Sequence, residues 1–186
     1  EMDEMWGTTI PVRKDSIREL RDGEDVLIND MVVSAMETRG HANHHHILRI
    51  GDTAFVGDAC GIRILGKEFV TLPAPPPEFD LGHWQVSLVR IRELNLKRMF
   101  CTHFGLVDDV DLHIDKLMSE LNLVVDYVKN MMSEGCDRDA IIAKYEGWYR
   151  ERAFSAGLSN DDLTKYETAN PFFMSVDGIM RYISKL

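Results

Sequence analysis

Cysteine is scarce. There are three (Cys60, Cys101, Cys136), an odd number with no Cys-x-x-Cys pair. That argues against a disulfide framework and makes a reducing cytoplasm the default location. No apolar run approaches the roughly 20 residues of a membrane span, so no membrane association is expected. The chain opens Glu1-Met2-Asp3-Glu4, without the pattern of a secretion signal. Basic residues are the minority: 21 Lys and Arg stand against 31 Asp and Glu, a net charge of −10. A protein that grips phosphate backbones needs clustered Lys and Arg, so a nucleic-acid partner is not expected. Repeats and low-complexity tracts are also missing. What is present is globular. With 186 residues, 45% of them apolar, the chain can bury one core and is too short for two full domains.

Hydrophobic patterning divides the chain. Residues 25–28 (DVLI) and 31–37 (MVVSAME) are apolar runs joined by Asn29-Asp30; 45–50 (HHILRI) and 53–57 (TAFVG) are joined by Gly51-Asp52. Tight turns between such runs predict an antiparallel meander of four strands. The first 22 residues read as loop and short helix. Four prolines (Pro73, Pro75, Pro76, Pro77) exclude regular structure from 61–80 and suit a rigid connector or a pocket wall. Asp80 opens a helical stripe of Trp84, Leu88, Ile91 and Leu94, and 98–101 (RMFC) reads as a strand, giving a strand–helix–strand crossover. From Asp109 onward the spacing is helical. Gly135 and Gly157 separate helices, Ser159 with Asp162 forms a capping box, and Asn170-Pro171 supplies an N-cap and first-turn proline for the last helix. The Met and aromatic stripes there read as core. His83 and His113, within helical patterns, read as surface residues, and Cys101 as core.

Three short motifs carry chemistry together: Thr38-Arg39-Gly40-His41 with His44-His45-His46 behind it, Phe55-Val56-Gly57-Asp58, and Cys101-Thr102-His103-Phe104-Gly105. Each places a possible metal ligand beside a strand on a turn made permissive by glycine. Side chains from strand ends can converge on one sheet edge, and His with Asp suits Zn²⁺, Fe²⁺ or Mn²⁺. His44 to His46 would alternate faces within a strand, so they cannot all serve one site.

This ordered set resembles the metallo-β-lactamase fold superfamily over most of residues 5–110, and the proline loop before Glu78-Phe79-Asp80 is similar to that of an uncharacterised metal-dependent hydrolase branch. The resemblance implies an α/β fold: the second half of a four-layer αββα sandwich with a mainly antiparallel, mixed sheet in 1–108, then a helical C-terminal extension in 109–186. It implies two divalent metal ions, zinc first, with iron or manganese as alternatives. His41 would hold one, Asp58 would bridge both, and His103 would hold the other. His45 would support the ligands, and Cys60, two residues past Asp58, could lie beside them. The implied activity is hydrolysis of an ester, thioester, lactone or related bond by a metal-bound hydroxide. Arg63, Phe79 and Phe104 are candidate pocket residues for a small-molecule substrate.

One departure is large. The family's leading His-x-His-x-Asp-His motif occurs nowhere in the sequence. It supplies most ligands and the acid/base group, so no catalytic residue is expected in this chain, which holds at most three ligands. Glu1 ahead of Met2 adds the expectation that these residues are the C-terminal part of a protein of roughly 300 residues. The missing half would then be a partner. Apolar runs that do not alternate (Val26-Leu27-Ile28, Met31-Val32-Val33) suggest strands buried on both faces. Without that half the chain is expected to self-associate as a homo-oligomer. Arg39 and Asn43 stand where the family has prolines, which would leave the His41 loop less stiff. Two alternatives remain: an incomplete fragment acting as a structural or oligomerisation module, and a di-iron oxidoreductase on the same fold.

Overall fold

The structure, a computed structural model, describes residues 7–186; the part of the expected N-terminal loop in 1–6 lies outside the described residues. A 3-10 turn at Lys14–Ser16 precedes six strands: β1 (Asp25–Ile28), β2 (Met31–Glu37), β3 (His46–Ile50), β4 (Thr53–Gly57), β5 (Arg98–Cys101) and β6 (Gly105–Val107). They form one mixed sheet in chain order. Every pairing is antiparallel except β4 with β5, which is parallel because helix α1 (Leu81–Glu93) crosses between them. This mixed α/β architecture is the fold class the sequence predicts. Asn29 takes a left-handed φ of 52° in the first hairpin, as Asn tolerates.

Four helices follow: α2 (Val110–Ser133), α3 (Arg138–Ser155), α4 (Asn160–Ala169) and α5 (Phe172–Ile183). The capping box of Ser159 and Asp162 opens α4 as expected. Asn170 does not cap α5. Its side-chain amide donates to Leu72 O (2.9 Å), and its side-chain oxygen accepts from Ser175 (3.0 Å), so it cross-links two segments instead. The segment 61–80 contains one regular feature, an isolated bridge of Ile62 with Thr71. One buried cluster joins the sheet (Ile47, Ala54, Val56, Met99), α1 (Trp84, Leu88, Ile91), α2 (Ile114, Leu117, Leu121) and the later helices (Tyr145, Tyr166, Ile179).

The other face of the sheet is different. Leu48, Phe55, Phe100 and Leu106 stand opposite one another across four strands. Leu48, Phe55 and Leu106 are exposed, Phe100 is half-buried, and the two phenyl rings stack at 5.4 Å. No described element covers this row.

Two further sequence readings are corrected. His113 is fully buried on α2, where its Nε2 meets Cys60 O at 2.7 Å; it sits one residue from Ile114 on the inward stripe. Only His46 of the histidine tract lies in a strand, because His44 and His45 belong to the turn before β3.

Candidate metal centre

Three turns converge at one end of the sheet. The first follows β2. Gly40 has φ of 130°, and a Cβ there would lie 2.3 Å from the Trp84 backbone, so only glycine lets this turn sit against α1. Helix α1 grips the turn in three places: Ser87 Oγ donates to Arg39 O (2.7 Å), Arg90 to Glu37 O (2.9 Å), and Asp80 N–H to Gly40 O (2.9 Å). The stiffness expected from prolines at 39 and 43 is supplied by this packing. The second turn ends β4 at Gly57-Asp58. The third is the β5–β6 turn carrying His103, tied to the second because Thr102 N–H donates to Gly57 O (3.1 Å). Parallel pairing of β4 with β5 puts Asp58 and His103 beyond neighbouring strand ends.

The convergence brings three predicted side chains together. His41 Nε2 lies 3.7 Å from Asp58 Oδ2, and His103 Nε2 lies 3.5 Å from Asp58 Oδ1. All three are partly buried, with side-chain exposures of 15%, 25% and 32% for His41, Asp58 and His103. His41 Nδ1 faces Pro73 O at 2.9 Å. A carbonyl only accepts, so in the neutral ring the proton sits on Nδ1 and the Nε2 lone pair faces the carboxylate. Asp58 Oδ1 is buried with no hydrogen-bond partner. The His41 lone pair thus points at Oδ2 of a carboxylate whose other oxygen, Oδ1, is buried without a partner beside His103, an arrangement that is unfavourable unless a cation lies among these atoms. Two donors about 2.1 Å from one tetrahedral ion stand about 3.4 Å apart, close to both observed separations. The donor chemistry therefore fits a divalent metal. The set is incomplete: among the described residues no group of three or more His, Cys, Asp or Glu stands ready to hold a metal ion.

His45 has another task. Its Nε2 accepts from Asp58 N–H (3.2 Å), so Nδ1 carries the proton and donates to Thr38 Oγ1 (2.8 Å). Thr38 is fully buried. Burial, aided by the neighbouring His41, pushes the His45 pKa down to about 4, which keeps the ring neutral at pH 7. Both nitrogens are occupied, so His45 fixes the Asp58 backbone. Gly57 makes room for it, since a Cβ there would come within 2.4 Å of His45 Nε2.

The remaining candidates separate. A cleft of about 310 Å³ opens on His41, Asp58 and His45, with Pro75, Pro76 and Pro77 as its wall. Arg63 is spent within the chain: it donates to Lys67 O and Asp109 Oδ1, both at 2.6 Å, and its side chain is only 10% exposed. Phe79 is buried against Trp84 and Tyr182. Cys60 is fully buried in the core, and burial pushes its thiol well above the usual range. Phe104 is partly exposed beside His103. The sequence reading missed the part played by Thr38, whose position seven residues before His45 at the mouth of the same turn is the available signal.

No established family profile matches the chain. A curated relative, a metallo-β-lactamase fold-containing protein of Sulfurisphaera tokodaii, is 30% identical over 117 residues, covering 61% of this chain and 44% of the relative. The solved structure of an archaeal metallo-β-lactamase superfamily protein from Sulfolobus tokodaii superposes with a TM-score of 0.54 at 27% identity, over 61% of this chain and 43% of that one. Over the aligned residues the chain has the metallo-β-lactamase fold and is similar to members of that superfamily. A metallo-β-lactamase family protein of Thermus thermophilus shares the fold over 89% of this chain and 48% of its own, with a TM-score of 0.56 at 19% identity. The chain thus spans less than half the length of the relatives it matches. The fold family implies divalent metal binding, which agrees with the donor set around Asp58. Among the described residues no helix is long and apolar enough to cross a membrane.

Proposed function

We propose that the intact protein is a metal-dependent hydrolase of a small-molecule ester, thioester, lactone or related bond. This chain contributes His41, Asp58 and His103 to a centre of two divalent ions, zinc first, with iron or manganese as alternatives. The observation that carries the reading is the Asp58 carboxylate, set between two imidazole nitrogens with one oxygen unpartnered. When bound, divalent ions would supply Lewis acidity and acidify water at neutral pH.

The chain's own residues do the positioning. Pro73 O fixes the His41 tautomer, a contact of the kind that raises ligand basicity. Thr38 and His45 hold the Asp58 backbone, and the Gly57–Thr102 hydrogen bond holds the His103 turn beside it. The proline wall shields one side of the cleft where substrate would lie. Three ligands are too few for two ions; the remaining ligands and the general acid/base group belong to residues outside this chain.

The exposed apolar row on the sheet supports that completion, because it offers a surface for the missing half of the protein. The same row favours a second reading, in which this chain acts as a structural module that pairs with another copy. Metal analysis after dialysis against Zn²⁺ separates them. For the hydrolase, the chain binds Zn²⁺ weakly, Asp58→Ala weakens that binding at least tenfold, and uptake approaches two equivalents when the missing half is supplied. Zn²⁺ uptake indifferent to Asp58→Ala and His103→Ala would rule out the hydrolase.

A further inference from the structure

A second hollow shares His103 with the metal centre. It lies between the β5–β6 turn and α4, has a volume of about 370 Å³, and is lined by His103, Phe104, Thr164, Lys165, Thr168 and Ala169. That volume falls at the small end of ligand pockets.

Three features make the hollow apolar despite the polar residue types around it. The Thr164 hydroxyl donates to Asn160 O (3.0 Å) and the Thr168 hydroxyl to Thr164 O (2.8 Å), so both satisfy their polarity within α4. Phe104 is held in the left-handed region at φ of 68°, a costly conformation for a bulky side chain. The strain gains no burial, because Phe104 remains 37% exposed. The ring is braced from behind by Tyr166 at 6.1 Å, and Tyr166 is itself fixed, donating to Phe69 O (2.7 Å) and accepting from Ile64 N–H (3.0 Å). An aromatic ring strained into an exposed position and rigidly supported there is arranged to meet something other than the chain's own core. Its neighbour in sequence, His103, faces Asp58.

We propose that this hollow is the specificity pocket of the centre and seats the apolar acyl or alkyl part of the substrate while the scissile bond lies over Asp58. The proposal rests on the hydrolase reading. It gives the helical extension a direct part in substrate choice, and it selects substrates with a linear apolar chain over small polar ones.

The pocket can be read without metal or turnover, using neutral alcohols as probes so that the Asp58 charge does not interfere. 1-Propanol and 1-hexanol are titrated into the full, isotope-labelled chain and followed by amide chemical shifts. The expected result is saturable shifts at Phe104, Thr168 and Ala169, with 1-hexanol binding at least tenfold tighter than 1-propanol, because each buried methylene adds affinity. Thr168→Trp, an exposed helix position that leaves the core untouched, should fill the hollow and weaken 1-hexanol at least tenfold. Equal binding of the two alcohols, shifts confined to Leu48 and Phe55 on the sheet, or undiminished binding by Thr168→Trp would overturn the pocket. A chain that binds 1-hexanol in this way but takes up no Zn²⁺ would overturn the hydrolase reading and leave the hollow intact.

Discussion

Gly57 is the residue on which the metal side depends most directly. Its φ of 54° already favours glycine, and its missing Cβ leaves room for His45 Nε2. Gly51 has nearly the same backbone, at 60°, with nothing within 4 Å of where a methyl would stand, so it isolates the conformational cost alone. Gly51→Ala should lose about 1–2 kcal/mol. Gly57→Ala should lose at least about 1 kcal/mol more from overpacking, and it should weaken Zn²⁺ binding about tenfold or more by displacing a ligand's support. Chemical denaturation and cation titration of the two variants check both figures. His113 gives a prediction in pH. Burial lowers its pKa below 6.5, against the opposing effect of the Cys60 carbonyl. The unfolded chain therefore binds that proton more readily, and stability is lost as pH falls below 6.5 and is complete above it. His113→Gln should flatten the decline between pH 6.5 and 5 in denaturant midpoints, leaving the part due to His45, which has the same sign. The converging histidines are legible as a set because glycine-flanked turns mark them. His113 reads as a surface residue by type alone, and its i, i+3, i+4 place beside Ile114 and Leu117 is the better guide.

Helices and strands are legible wherever the apolar period runs for several turns or the hairpin chemistry is explicit. β6 is not, because Gly105–Val107 is too short to show alternation and exists by pairing with β5. Arg63 is unreadable for a related reason: besides the nearby Lys67 carbonyl, its charged hydrogen-bond partner is Asp109, at a helix start that only the fold brings close. Between α2 and α3 the deciding contact is also non-local. Glu120, 5% exposed, accepts both arms of Arg152, whose guanidinium lies over Trp148 at 4.4 Å. Arg152→Ala would strand a buried carboxylate and should cost about 3 kcal/mol. Glu120→Gln together with Arg152→Met should cost clearly less than the single change. Thermal unfolding of the single and double variants tests this; equal losses would place the pair's value in packing alone.

For the molecule as a whole, the sheet is finished on one side only. The inner face merges with all five helices in one core, whereas the outer row of Leu48, Phe55, Phe100 and Leu106 meets water. Monomers tolerate apolar patches of only about 300–600 Å². The chain by itself should therefore sediment with a concentration-dependent mass and bind a hydrophobic dye. Phe55→Glu should reduce both while costing about 1 kcal/mol or less, since the ring is half-exposed and gives up mainly its stacking on Phe100. Dye binding unchanged by Phe55→Glu would locate the sticky surface elsewhere. The non-alternating runs suggest burial on both faces of β1 and β2, but Leu27, Ile28, Met31 and Val32 there are exposed in this chain; the row on β3 to β6 lies outside those runs and requires the cross-strand register.

The wall of the metal cleft is fastened by the far end of the chain. Ala74 N–H donates to Ser175, a methyl on Gly178 would strike Ala74 O, and Lys185 reaches Pro77 O. These bonds join residues about a hundred positions apart. During synthesis the proline segment leaves the ribosome long before its anchors do, so the cleft that holds His41 takes its final shape only after the last helix has emerged.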